Sequence, residues 1–133
     1  MAAPLKVGIA GLGTVGTEVA RMLERQRNVL SARCGRSIKL VAVTARSKAK
    51  KRGIDLRGIE WVSSPLKLAQ HPGIDCFIEL MGGSGEPALS AVEAALASGK
   101  SVVTANKALI AKHGVRLASL AEKHGASLNY EAA

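Results

Sequence analysis

Gly11-Leu12-Gly13-Thr14-Val15-Gly16, near the N-terminus, has the residue types and spacing of an anion cradle. In a G-x-G-x-x-G turn the first glycine permits a tight bend and the second lets a pyrophosphate approach the backbone. The third lets a helix pack closely on a strand. Free amides at the helix start, and the helix dipole, favour negative charge there. The spacing alone is a weak signal and gains force from its surroundings. The apolar run Leu5–Ala10 precedes it, and Val15, Val19, Met22 and Leu23 follow at helical spacing. A strand, a glycine turn and a helix in that order imply a dinucleotide ligand.

A second group of residues bears on which dinucleotide. NAD sites usually place Asp or Glu at the end of the second strand, where it accepts from the ribose 2′-hydroxyl. Here that stretch is Thr44-Ala45-Arg46-Ser47-Lys48, with no acid near it. Arg46 can stack on adenine and contact a 2′-phosphate, Ser47 can donate a hydrogen bond, and Lys48, Lys50 or Lys51 can add charge. These residues point to NADP, with NAD as the alternative. The protein carries 19 Lys and Arg against 10 Asp and Glu, a net charge of +9. Ten of the basic residues fall between Arg25 and Ile54, a window without a single acid. The excess is therefore one patch, and a patch of that size can bind phosphate. The plainer reading is a solvated surface.

These residues need elements to hold them. Apolar runs predict buried strands at Leu5–Ala10, Ile38–Thr44, Glu60–Ser63, Asp75–Met81, Ser101–Thr104 and Ala126–Tyr130. Between them, helices are predicted from the glycine turn to about Gln26, from Ser64-Pro65 to Pro72-Gly73, from Glu86-Pro87 to Gly99, and over Ala108–His124, the last either whole or broken near Gly114. Asn28–Ser37 reads as an irregular basic connection, and Lys48–Arg57 as a polar loop. Buried strands alternating with helices demand an α/β fold: a doubly wound, mostly parallel six-stranded sheet of the Rossmann type.

Composition closes off other classes. At 133 residues the chain is one domain's worth, and 47% apolar content supports a packed core. No run of 18 apolar residues exists, so no membrane span is expected, and Met1–Leu5 lacks a secretion signal's apolar core. Trp61, Phe77 and Tyr130 are the only aromatics, too few for a base-stacking surface, so no nucleic-acid partner is expected. Cys34 and Cys76 cannot frame a disulfide scaffold or a metal site by themselves. Cys76 reads as a core residue, and the cytoplasm is the default compartment. His71, His113 and His124 have no paired spacing and read as surface or helix-end residues. Glu86 reads as a first-turn carboxylate favoured by the helix dipole. Glu79 sits on an otherwise apolar strand, either as a polar residue near the ligand or as a structural acceptor.

Three stretches together, Lys6–Gly16 (KVGIAGLGTVG), Ile78–Gly83 (IELMGG) and Val102–Gly114 (VVTANKALIAKHG), resemble the N-terminal part of homoserine dehydrogenase. Leu128–Ala133 (LNYEAA) is similar to that family's segment leading into its substrate domain. The resemblance implies NAD(P)-dependent interconversion of L-homoserine and L-aspartate 4-semialdehyde, in the route to threonine, methionine and isoleucine. It implies that the 11–16 turn, Leu12 included, wraps the pyrophosphate, and that Met81, Gly82, Gly83 and Ser84 lie beside the ribose and nicotinamide. Thr104, Asn106 and Lys107 would reach the same crevice, with Lys107 polarising the reacting carbonyl. It also implies that residues 1–133 form only the nucleotide-binding domain, with the substrate and dimerisation domain outside. Such a chain would bind cofactor and turn over little, a small-molecule substrate would need the other domain, the full-length form would be a homo-oligomer, and the last strand would expose an apolar surface. Other readings stay open: the domain of a related amino-acid dehydrogenase, or a non-catalytic NAD(P)-sensing module.

Overall fold

Among the described residues six short strands lie side by side in one sheet, the two central ones mostly buried and the two edge ones largely exposed. The computed structural model describes residues 3–46 and 54–130. The strands are β1 (Leu5–Ala10), β2 (Ile38–Thr44), β3 (Glu60–Trp61), β4 (Cys76–Glu79), β5 (Ser101–Thr104) and β6 (Ser127–Tyr130). Their order is β3-β2-β1-β4-β5-β6 and every pairing is parallel. The sequence of elements reverses direction between β1 and β4, which is the switch point of a Rossmann-like sheet.

Five helices cover the faces: α1 (Thr14–Arg25), α2 (Arg27–Cys34), α3 (Pro65–Ala69), α4 (Ala88–Ala97) and α5 (Lys107–Lys123). On one face Leu68, Phe77, Val92, Leu96, Val102, Leu109 and Leu117 form a core with α3, α4 and α5. On the other, Val7, Ile9, Leu12, Ala20, Leu23 and Val43 pack with α1. The periods explain the two cores: strand neighbours alternate faces, and helix residues three and four apart share one. Among the described residues no helix is long and apolar enough to cross a membrane.

Several boundaries differ from the sequence expectation. The stretch expected to be irregular after Gln26 is helix α2, closed by Gly35 at φ +71° with its N–H on the Ser31 carbonyl. None of its residues is buried, so it has no apolar stripe for a periodicity to reveal. β3 stops at Trp61, although the Val62 N–H still donates to the Val43 carbonyl (2.8 Å). β4 stops at Glu79, because the Met81 and Gly82 amides turn onto the Glu79 carboxylate. α4 starts at Ala88 with Pro87 as N-cap, so Glu86 lies outside the first turn and does not cap it. α5 is a single helix through Gly114, starting one residue earlier than expected at Lys107. Leu66 on α3 is exposed, and so is Val15, which the helical spacing places with the apolar residues of α1. Val103 and Tyr130 at the β5–β6 side are also exposed.

Burial in the α1-side core pushes the Cys76 thiol up to about 11 from its ordinary 9.0, with the nearby Asp75 charge adding to the effect. A raised thiol pKa favours the neutral folded form. Stability is therefore fully present below about 9 and falls as pH rises toward about 11, because the unfolded thiol ionises first. Cys34 is exposed. In a native thiol titration at pH 8, Cys34 should react rapidly and Cys76 only after denaturation, so that Cys34→Ser leaves no fast-reacting thiol.

Candidate functional site

The carboxyl ends of parallel strands lie on one edge of the sheet, and the register here aligns Thr44, Ala10, Glu79, Thr104 and Tyr130 in a row. The loops that follow this row carry the residues singled out from sequence. Gly11 is placed by two contacts. Its N–H donates to the Thr44 carbonyl (2.9 Å), and an added Cβ would meet the Leu80 carbonyl at 2.8 Å and Met81 Cγ at 3.2 Å. With φ at +102°, Gly11 also occupies a backbone region that side chains rarely adopt. The turn therefore touches both the end of β2 and the loop after β4.

The other two glycines differ in what surrounds them. A Cβ on Gly16 would overlap the Gly11 carbonyl oxygen, so α1 can sit this close to the turn only without one. A Cβ on Gly13 would meet nothing within 4 Å. Gly13 is also the N-cap of α1 and supplies no side-chain cap, and no acid lies in that first turn. By contrast Ser64 caps α3 and Asn106 caps α5. Gly13, Thr14 and Val15 are exposed, whereas the Leu12 side chain is buried in the core and only its backbone faces the turn.

Two loops meet on the far side of the switch point. Gly82 and Gly83 both have positive φ (+82° and +83°) and are exposed. Glu79 Oε2 accepts from the Met81 N–H (2.7 Å) and the Gly82 N–H (3.1 Å), and Oε1 accepts from Thr104 Oγ1 (2.6 Å). Thr104 Oγ1 accepts from the Asn106 N–H (2.9 Å). Asn106 Nδ2 donates to the Gly83 carbonyl (2.6 Å), while its Oδ1 accepts from the Leu109 N–H (3.0 Å). Lys107, the first residue of α5, is exposed beside this cluster. His113 Nε2 lies 3.1 Å from the Ser84 carbonyl.

Glu79 thus takes the acceptor role that sequence left open. His113 was not singled out, because it has no partner of its own type. The available signal is its spacing: Asn106 and His113 are seven residues apart, on one face of α5, and both bond the 83–84 backbone.

Arg46 is exposed two residues past β2, whose last residue, Thr44, accepts from the Gly11 N–H. Ser47, Lys48, Lys50 and Lys51 lie outside the described residues. Much of the basic window has other partners. Arg25 pairs with Glu18, Arg27 with Glu24, and Arg36 donates to the Ala3 and Pro4 carbonyls.

The family model for the NAD-binding domain of homoserine dehydrogenase matches residues 11–131. The chain belongs to that family. A homoserine dehydrogenase from Pseudomonas aeruginosa is 40% identical over 133 residues, covering 98% of this chain and 29% of its own length. The chain thus spans under a third of the curated homoserine dehydrogenases it matches. The Staphylococcus aureus homoserine dehydrogenase structure superposes with a TM-score of 0.88 at 32% identity, over 99% of this chain and 33% of that one. A biliverdin reductase from Synechocystis, solved with biliverdin and NADP+, superposes with a TM-score of 0.75 at 26% identity, over 96% and 37%. In this NAD-binding domain the expected site residues within the described chain all lie at or after the carboxyl ends of strands at one sheet edge.

Two variants test the geometry of the turn. Gly16→Ala should destabilise the domain by about 3 kcal/mol, because backbone must move to admit the methyl. Gly13→Ala should cost about 1 kcal/mol or less, the price of a poorer N-cap. Urea unfolding of both against wild type reads the difference. Asn106→Ala should lose about 1–2 kcal/mol in the same assay, through its cap on α5 and its tie to Gly83.

Proposed function

We propose that this domain binds NADP(H) for an oxidoreductase that interconverts L-homoserine and L-aspartate 4-semialdehyde. The observation that carries the reading is the meeting of the glycine turn, the 81–84 loop and the first turn of α5 at one sheet edge, in a chain of this family. Two features support a dinucleotide fit: the open space at Gly13 and the uncapped N-terminus of α1. Gly11, Leu12, Gly13, Thr14, Val15 and Gly16 hold the pyrophosphate, Leu12 through its backbone. Arg46, with Ser47 and Lys48, takes the 2′-phosphate. Support for NADP over NAD comes from Arg46 exposed two residues past β2, the absence of an acid near it, and the NADP+ bound by the Synechocystis biliverdin reductase.

Met81, Gly82, Gly83, Ser84, Thr104 and Asn106 line the ribose and nicotinamide. When bound, the nicotinamide supplies or receives the hydride. Lys107 holds its ammonium against the carbonyl oxygen of the aldehyde or the hydroxyl of the alcohol, and so stabilises the negative charge that develops there. Hydride transfer also needs an oriented substrate. In this reading the substrate groups lie in the part of the relatives that these 133 residues do not match. The 133 residues alone bind cofactor and turn over little. The full-length enzyme acts in the cytoplasm as a homo-oligomer, without nucleic-acid or membrane partners.

Calorimetric titration with NADP and NAD tests the cofactor assignment. NADP should bind about tenfold tighter or more, and Arg46→Ala should remove most of that margin while leaving NAD affinity nearly unchanged. Gly13→Ala should weaken both cofactors while the domain stays folded. Equal affinity for the two cofactors would refute the phosphate role of Arg46.

A further inference from the structure

Among the described residues Glu79 is the only charged side chain that is fully buried, at 0% exposure. A buried carboxyl is costly unless donors meet it. Three do, and they come from both loops that flank the nicotinamide side. The bonds close a ring. Glu79 accepts from Gly82 and from Thr104, Thr104 accepts from Asn106, Asn106 donates to Gly83, and the peptide bond from Gly83 to Gly82 completes it. Thr104 and Asn106 are themselves 1% and 5% exposed, so water competes little for the Glu79–Thr104 and Thr104–Asn106 bonds, while the glycine side of the ring faces solvent. His113 braces the ring from outside, at the Ser84 carbonyl.

A packing role alone does not need this residue type. Phe77 and Val102, on the same sheet face, are fully buried and apolar. What the carboxyl adds is a fixed distance between two backbone segments whose last direct backbone bond is the Ala105 N–H to the Glu79 carbonyl (3.4 Å). The adenine half of a dinucleotide lies toward β2 and the other half toward β4 and β5, on either side of the switch point. We propose that Glu79 is a positioning residue: through Thr104 and Asn106 it presets the gap between the 81–84 loop and the first turn of α5, where the nicotinamide and Lys107 meet. This rests on the cofactor reading above.

The test compares two probes on the full chain. NADPH carries the nicotinamide, while 2′,5′-ADP carries only the adenosine half and its phosphates. Calorimetry is run on wild type, Glu79→Gln, Thr104→Val and Thr104→Ser. Glu79→Gln and Thr104→Val should weaken NADPH about tenfold or more, while 2′,5′-ADP changes less than about twofold. Thr104→Ser keeps the hydroxyl and should restore NADPH binding to within about threefold of wild type. If Glu79→Gln does not fold, the two Thr104 variants decide. Equal weakening of both probes, or unchanged NADPH binding by folded variants, would overturn the positioning role alone. A wild-type chain that binds neither probe would overturn the cofactor reading and this inference with it.

Discussion

A Cβ-free contact between Gly16 and the Gly11 carbonyl decides how near α1 can come to the end of β1. That distance sets where the first amides of α1 stand relative to the sheet edge. The remaining site geometry follows from the parallel sheet. Each strand delivers its carboxyl end to the same edge, and each helix that follows begins there. The register row from Thr44 to Tyr130 is therefore both the limit of the ladder and the floor of the site.

Among the described residues the buried polar side chains of the sheet all lie in this row. Thr44, Glu79 and Thr104 are buried in that row, and their polar atoms need partners. Among the described residues no buried side-chain polar atom lacks one. The bonds that satisfy Glu79 and Thr104 also organise the loops above them. Stability and site geometry are thus served by the same hydrogen bonds on the β4–β5 side. The β1 side differs. There α1 begins on a bare glycine, while α3 and α5 have side-chain caps. α2 and α4 also start without a side-chain cap, and the uncapped start of α1 is the one that lies at the glycine turn.

Much of the fold was legible in sequence because its signals are local. Apolar runs located all six strands, with β1, β2 and β5 matched residue for residue. Ser64-Pro65 announced the start of α3, where the serine hydroxyl accepts from the Lys67 N–H (3.1 Å). The glycine turn could be read because the positive φ of Gly11 and the approach of Gly16 to the Gly11 carbonyl are requirements that fall within six residues. α2 could not be read, since a helix with no buried residue leaves no stripe. Glu86 misled for the opposite reason: a sound local rule was applied to a helix that begins two residues later.

The sequence by itself determined the strand-helix alternation, the glycine turn and the lack of an acid after the second strand. These depend on residue type and short spacing. Only the tertiary structure decided that Glu79 bonds Thr104, 25 residues away, that Asn106 reaches Gly83 across 23, and that His113 reaches Ser84 across 29. It also decided that Arg25, Arg27 and Arg36 are engaged with partners of their own. Such pairings are set by which strands become neighbours and in what register. A linear pattern carries no distance between residues so far apart, and the sheet supplies it.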